Sequence, residues 1–204
     1  MAGPKVSTLH VKSADKEQLS RDAWLGAAAA AVAEGGFENV RVLALAKRLG
    51  VTRGSFYWHF EDHADLIASL LERWHDRRLG ELAYLRPGEG DPETELRRIF
   101  RLVLSEPARN TRRLRVELAI RDFAQRDAHA AKIVAEVDRA RLDQTAALLE
   151  HVAADKQKAR DLALLLYVAT IGGRVVLTGS REGEAAIARI ENLIAEIVQR
   201  KRPL

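Results

Sequence analysis

Val42-Leu43-Ala44-Leu45-Ala46-Lys47-Arg48-Leu49-Gly50-Val51-Thr52-Arg53-Gly54-Ser55-Phe56-Tyr57-Trp58-His59-Phe60 is the stretch on which the reading of this chain turns. Leu45, Ala46 and Leu49 recur at helical spacing and form one apolar face, and Phe56 and Phe60, four apart, form another. Gly50 between them suits a tight turn, where a side chain would be penalised at positive φ. The spacing predicts two short helices, the second starting at Thr52 with its hydroxyl capping the Ser55 N–H. Packed against a third helix, such a pair leaves one edge free, and that edge carries Arg53, Gly54, Ser55, Tyr57 and His59. Arg53 can fork onto guanine or grip phosphate, Gly54 permits close backbone approach, and Tyr57 and His59 can donate to phosphates. A solvated face on an ordinary helical hairpin fits the same spacing, and spacing does not choose between the two.

Charge separates them further. The formal net charge of +4 is modest, so position matters more than the total. Between Asn39 and Phe60 stand Arg41, Lys47, Arg48 and Arg53, with no Asp or Glu, in a chain whose acids and bases otherwise alternate closely. That window is the candidate contact surface.

Outward from it, nearly every segment keeps helical spacing, and no alternating β-branched run is long enough for a strand, so the expected class is all-α. A first helix is expected from about Glu17 to Glu34, with Trp24, Ala28, Ala31 and Val32 buried, stopped by Gly35-Gly36. Another starts near Asp62, carries Leu66, Leu70, Leu71 and Trp74, and ends around Pro87-Gly88. Helices over about 93–104, 111–125, 128–153, 156–178 and 183–200 follow. The alanine-rich run Gly26 to Ala33 reads as close helix packing and is far too short to span a bilayer. The expected organisation is a tail over 1–16, a helix-turn-helix domain over 17–62, and a larger helical domain over 63–204.

At 47% hydrophobic and 30% charged residues, 204 residues are too apolar for global disorder and long enough for a sizeable core. The absence of cysteine excludes disulfides and thiolate metal sites. Met1 to Lys16 lacks the apolar core of a secretory signal, and a cytoplasmic protein without membrane contact is expected.

The run from about Arg21 to Leu70 resembles the DNA-binding domain of TetR-family regulators. The resemblance rests on Gly36-Phe37, Leu45-Ala46, Leu49-Gly50-Val51 and, most specifically, Ser55-Phe56-Tyr57-Trp58-His59-Phe60 followed by Leu66. It implies that Arg53, Gly54, Ser55, Tyr57, Trp58 and His59 occupy recognition positions, and that Arg41 and Val42 begin the second helix near the DNA backbone. Arg41 stands where the family usually has a Ser or Thr cap, and His63 where many members place a phosphate-binding lysine. If His63 lies near a phosphate, binding should depend on pH, since imidazole titrates near neutrality.

The resemblance further implies a homodimer that binds a palindromic DNA operator and is released by a small-molecule effector, most simply as a repressor. Trp74, Tyr84, Phe100, Phe123 and Tyr167 are candidate pocket residues, each more simply read as plain core packing. Leu165, Val168, Ile187, Ile190, Ile194 and Ile197 are candidates for the dimer interface, with an intramolecular core as the alternative. Arg115, Glu117, Arg121 and Asp122 cluster on one helix and could be polar anchors of that pocket, but read more simply as a solvated, salt-bridged face.

No enzyme is expected. His129 and His151 are isolated, nucleophile-elbow, phosphate-loop and HExxH motifs are lacking, and neither a metal site nor a cofactor is implied. The remaining rival is a helical dimeric adaptor for a ligand or protein that has lost DNA binding, favoured by His63 and opposed by the acid-free window.

Overall fold

The computed structural model describes residues 20–83, 94, 98, 111–150, 153, 155–176, 185, 186, 189, 190, 192, 193 and 196. Among these residues six α-helices follow in chain order: α1 (Arg21–Gly35), α2 (Val42–Leu49), α3 (His63–Leu82), α4 (Thr111–Ala124), α5 (Ala128–Leu149) and α6 (Lys156–Val176). None of the described residues forms a strand, so the chain is all-α as its spacing indicates. The helices expected over 93–104 and 183–200 lie mostly outside the described residues.

Local chemistry sets the boundaries. α1 starts at Arg21, later than its spacing suggests, because the Ser20 hydroxyl accepts the Ala23 N–H at 3.3 Å and caps the helix there. It stops at Gly36, whose φ of 74° a side chain would resist and whose N–H closes on the Val32 carbonyl. α2 ends on Gly50, left-handed at φ 69°. The Asp62 carboxylate caps α3 by accepting the Asp65 N–H at 2.8 Å.

One expectation fails at the second helix of the pair. Arg53–Trp58 winds as a 3-10 segment, and the Ser55 N–H goes to the Thr52 carbonyl at 3.1 Å, not to its hydroxyl. Six residues close few i→i+4 bonds, so the tighter i→i+3 winding satisfies the end groups more readily.

The alanine run is core: Ala27, Ala28, Ala31 and Ala33 are buried beside Trp24, Leu25 and Val32, and α1 packs against α2, α3 and α4. One apolar cluster runs from Trp24, Leu45, Phe56 and Phe60 through Leu66, Leu70 and Trp74 to Ile120, Ile133 and Val137. It crosses residue 62 without a break. Phe37 stacks on Phe123 of α4, with centroids 4.3 Å apart, and fixes the N-terminal helices on the body. A second cluster, built from Leu149, Leu162 and Leu166, joins α5 to α6.

Candidate nucleic-acid interface

Phe56 anchors the segment after Gly50. It is fully buried, meets Trp24 edge-on at 5.4 Å and stacks on Phe60 at 5.3 Å. With Phe56 fixed inward, its neighbours turn outward: Tyr57 is 53% exposed and Trp58 79%. Large aromatic side chains left that open carry an unmet burial energy of a few kcal/mol. Arg53 donates from Nη2 to the Tyr57 hydroxyl at 3.0 Å, with its guanidinium 5.8 Å from the ring centre. The pair thus presents a cation and a phenol in one fixed geometry.

Around this pair the other expected contact residues are placed unequally. Gly54 is exposed and Ser55 half-buried. His59 is half-buried, and its Nε2 is buried with no hydrogen-bond partner. Arg41 is exposed and donates from Nε to the Glu38 carbonyl at 3.1 Å, while Val42 packs against the core. His63 lies with Nε2 2.6 Å from the Val40 carbonyl. Since a carbonyl only accepts, Nε2 carries the proton, and the neutral ring offers only the acceptor Nδ1 to its surroundings. A phosphate contact through His63 therefore requires the doubly protonated ring.

Two features were not read from the sequence. Leu43 is 66% exposed on α2, a position legible once Leu45, Ala46 and Leu49 face inward. Arg48 pairs with Glu34 of α1, one Nη donating to the carboxylate at 3.1 Å, and this hydrogen bond holds the Glu34 carboxyl below its ordinary range. The window is acid-free along the chain but not in space: one of its four cations already has a counter-charge from outside it.

The residues singled out for an effector pocket are dispersed. Trp74 lines a cavity between α1, α3 and α4. Phe123 lines another, of about 470 Å³, with Phe37, His63, Ile67 and His129. Tyr167 lines neither of these and sits in a polar network; Tyr84 and Phe100 lie outside the described residues. That network corrects the solvated-face reading for two residues. Glu117 is only 2% exposed, with Arg141 at 2.6 Å and Arg121 at 3.2 Å, and Arg121 also reaches Asp138 at 2.7 Å. Tyr167 donates to Asp138 and accepts from Arg121. Arg115 and Asp122 are exposed as expected.

Of the dimer candidates, Leu165 and Val168 are exposed on α6, whereas Ile190 packs against the α5–α6 cluster. Ile187, Ile194 and Ile197 lie outside the described residues. Among the described residues no helix is long and apolar enough to cross a membrane.

A buried three-helix scaffold presenting a short, aromatic and cationic segment after a left-handed glycine turn defines a helix-turn-helix protein. Residues 25–70 match the model of the bacterial regulatory proteins of the tetR family. The chain is 34% identical over 104 residues to the HTH-type transcriptional regulator AcrR of Shigella flexneri, covering 50% of this chain and 48% of that protein. It is 29% identical over 107 residues to the HTH-type transcriptional regulator TtgR of Pseudomonas putida, covering 52% and 50%. The chain thus spans about half the length of these curated relatives. Its fold is similar to that of a transcriptional regulator from a Rhodococcus species, with a TM-score of 0.72 and 25% identity over 89% of this chain and 97% of that one. Residues 25–70 are thus similar to the DNA-binding segment of the tetR-family bacterial regulatory proteins, and the fold as a whole is similar to that of a transcriptional regulator.

Proposed function

We propose that the chain is a cytoplasmic DNA-binding repressor that holds a palindromic operator as a homodimer and releases it when a small-molecule effector binds. The reading head is 17–62 and the effector and dimerisation body 63–204. The observation that carries the proposal is the Arg53–Tyr57 pair beside an almost fully exposed Trp58, held outward by buried Phe56. In this reading Arg53, Gly54, Ser55, Tyr57, Trp58 and His59 meet the major groove. Arg41 and the start of α2 at Val42 meet the backbone, and His63 joins them only when doubly protonated.

The dimer is supported by α6. Leu165, Val168, Gly172 and Val176 follow one another at three- and four-residue steps, and the three apolar side chains are 45%, 60% and 78% exposed. A Cβ at Gly172 would meet nothing within 4 Å, so this stripe has an open notch where a second copy's helix can approach closely. Two heads related by a twofold axis would suit a palindrome. Release by an effector requires that it bind one arrangement of the heads better than another.

Selection of bound sequences from a random DNA pool, read beside the solution mass, tests head, symmetry and dimer together. An enriched palindrome held by a dimer supports the proposal. A folded dimer that enriches nothing at low salt overturns it in favour of an adaptor.

A further inference from the structure

The cavity lined by Trp74 has an unusual wall. It measures about 360 Å³, within the range of small-molecule sites, and lies between α1, contributing Gly26 and Ala29, and the facing turns of α3 and α4. Leu70, Trp74 and Val116 supply apolar surface, and five arginines line the same space: Arg73, Arg77, Arg78, Arg112 and Arg113.

Asp22 pairs with Arg73 at 3.4 Å, and Glu81 is shared by Arg77 at 3.4 Å, Arg78 at 2.8 Å and Arg113. Glu117 lies 3.9 Å from Arg78 Nε, beyond hydrogen-bond reach, and is already engaged by Arg141 and Arg121. Arg112 donates to the Gly26 carbonyl at 3.4 Å. Two lining residues also hold buried donors with no hydrogen-bond partner, Trp74 Nε1 and Arg78 Nε. Burial, and then the charge of Arg113, pushes the Arg78 guanidinium below its ordinary range.

We propose that this cavity binds an amphipathic anion, a carboxylate carrying an apolar body, with the head group among Arg77, Arg78, Arg112 and Arg113 and the body against Leu70, Trp74 and Val116. Arginine matches a carboxylate with two parallel donors, and Leu70, Trp74 and Val116 offer apolar surface to the body. The proposal rests on the effector reading and supplies its ligand class. The cavity abuts the ties that seat α1 on the body, Arg73 to Asp22 and Arg112 to the Gly26 carbonyl. An anion that recruits Arg112 loosens the seat of the reading head.

Calorimetric titration of the full chain with octanoate, octan-1-ol and inorganic phosphate tests it. Octanoate is expected to bind with a dissociation constant of about 1 mM or tighter, and the alcohol and phosphate at least about tenfold more weakly. Arg77→Gln and Arg112→Gln, both at exposed side chains, should each weaken octanoate about tenfold, Arg77→Gln with the thermal midpoint unchanged, and Arg112→Lys should recover part of the loss. Absence of octanoate binding, octan-1-ol or phosphate binding as tightly as octanoate, or unaltered octanoate affinity in both glutamine variants would overturn the site. A different compound that releases DNA while octanoate fails to bind sinks the site and leaves effector release standing. Octanoate that binds through these arginines without altering DNA affinity supports the site and removes its regulatory role.

Discussion

Glu117→Gln should destabilise the chain by about 3–5 kcal/mol at pH 7, because removing one member of a buried charge cluster leaves its partners uncompensated. The carboxylate is 2% exposed and holds Arg141 and Arg121 at 2.6 and 3.2 Å. Burial works against its charge, but the Arg141 hydrogen bond and the charges of Arg141, Arg78 and Arg121 outweigh that cost and lower its pKa from 4.5 to about 2. At about 1.36 kcal/mol per pH unit, a pKa lowered from 4.5 to about 2 is of the same order, about 3 kcal/mol. The sign follows from the direction: the folded state binds the proton less readily, so this stability is fully present above pH 4.5 and is lost as pH falls toward 2. Urea unfolding at a fixed protein concentration, on the wild type and the variant, measures the difference. Adding Arg141→Met should cost less than the sum of the two single changes, since the arginine left exposed to uncompensated burial is then gone. A loss below about 1 kcal/mol, or simple additivity, would refute the claim that these groups act as one buried cluster.

Gly50→Ala should cost about 1–2 kcal/mol of stability in the same assay, because alanine is strained at the φ of 69° that turns α2 into the exposed segment. Asp62→Ala removes the acceptor of the Asp65 N–H and should cost about 1 kcal/mol, read as a lower thermal midpoint with the helix content of the rest intact. Val168→Glu places a charge on the open α6 stripe and should lower the solution mass to that of a monomer by light scattering, while the monomer's own fold survives because the residue is 60% exposed.

The head was legible because its instructions are local. Leu45, Ala46, Leu49, Phe56 and Phe60 recur at a helical period, and Gly50 marks the turn between them, so pattern and backbone requirement coincide in one short window. The 3-10 winding of Arg53–Trp58 was not legible, since the same period fits either helix at that length. The body was harder. Glu117 and Arg121 look on α4 like any charged pair four apart, and what buries them arrives from Asp138, Arg141 and Tyr167, 17 to 46 residues away. Charge names a partner type but not a depth. Arg48 shows the same limit, since its counter-charge is Glu34 on the preceding helix, outside the window from which the basic patch was read.

The most direct test of the central claim is the affinity of Tyr57→Ala for the DNA sequence that the wild type selects, measured from low to moderate salt with dimer mass and thermal midpoint in parallel. Tyr57 is half exposed and touches Arg53 at the surface, so its removal should leave the fold and the dimer intact. The account predicts a loss of at least about tenfold in affinity, with wild-type binding that weakens steeply as salt rises. Unchanged affinity in a folded dimer would contradict it and move the DNA-contacting surface away from the segment after Gly50.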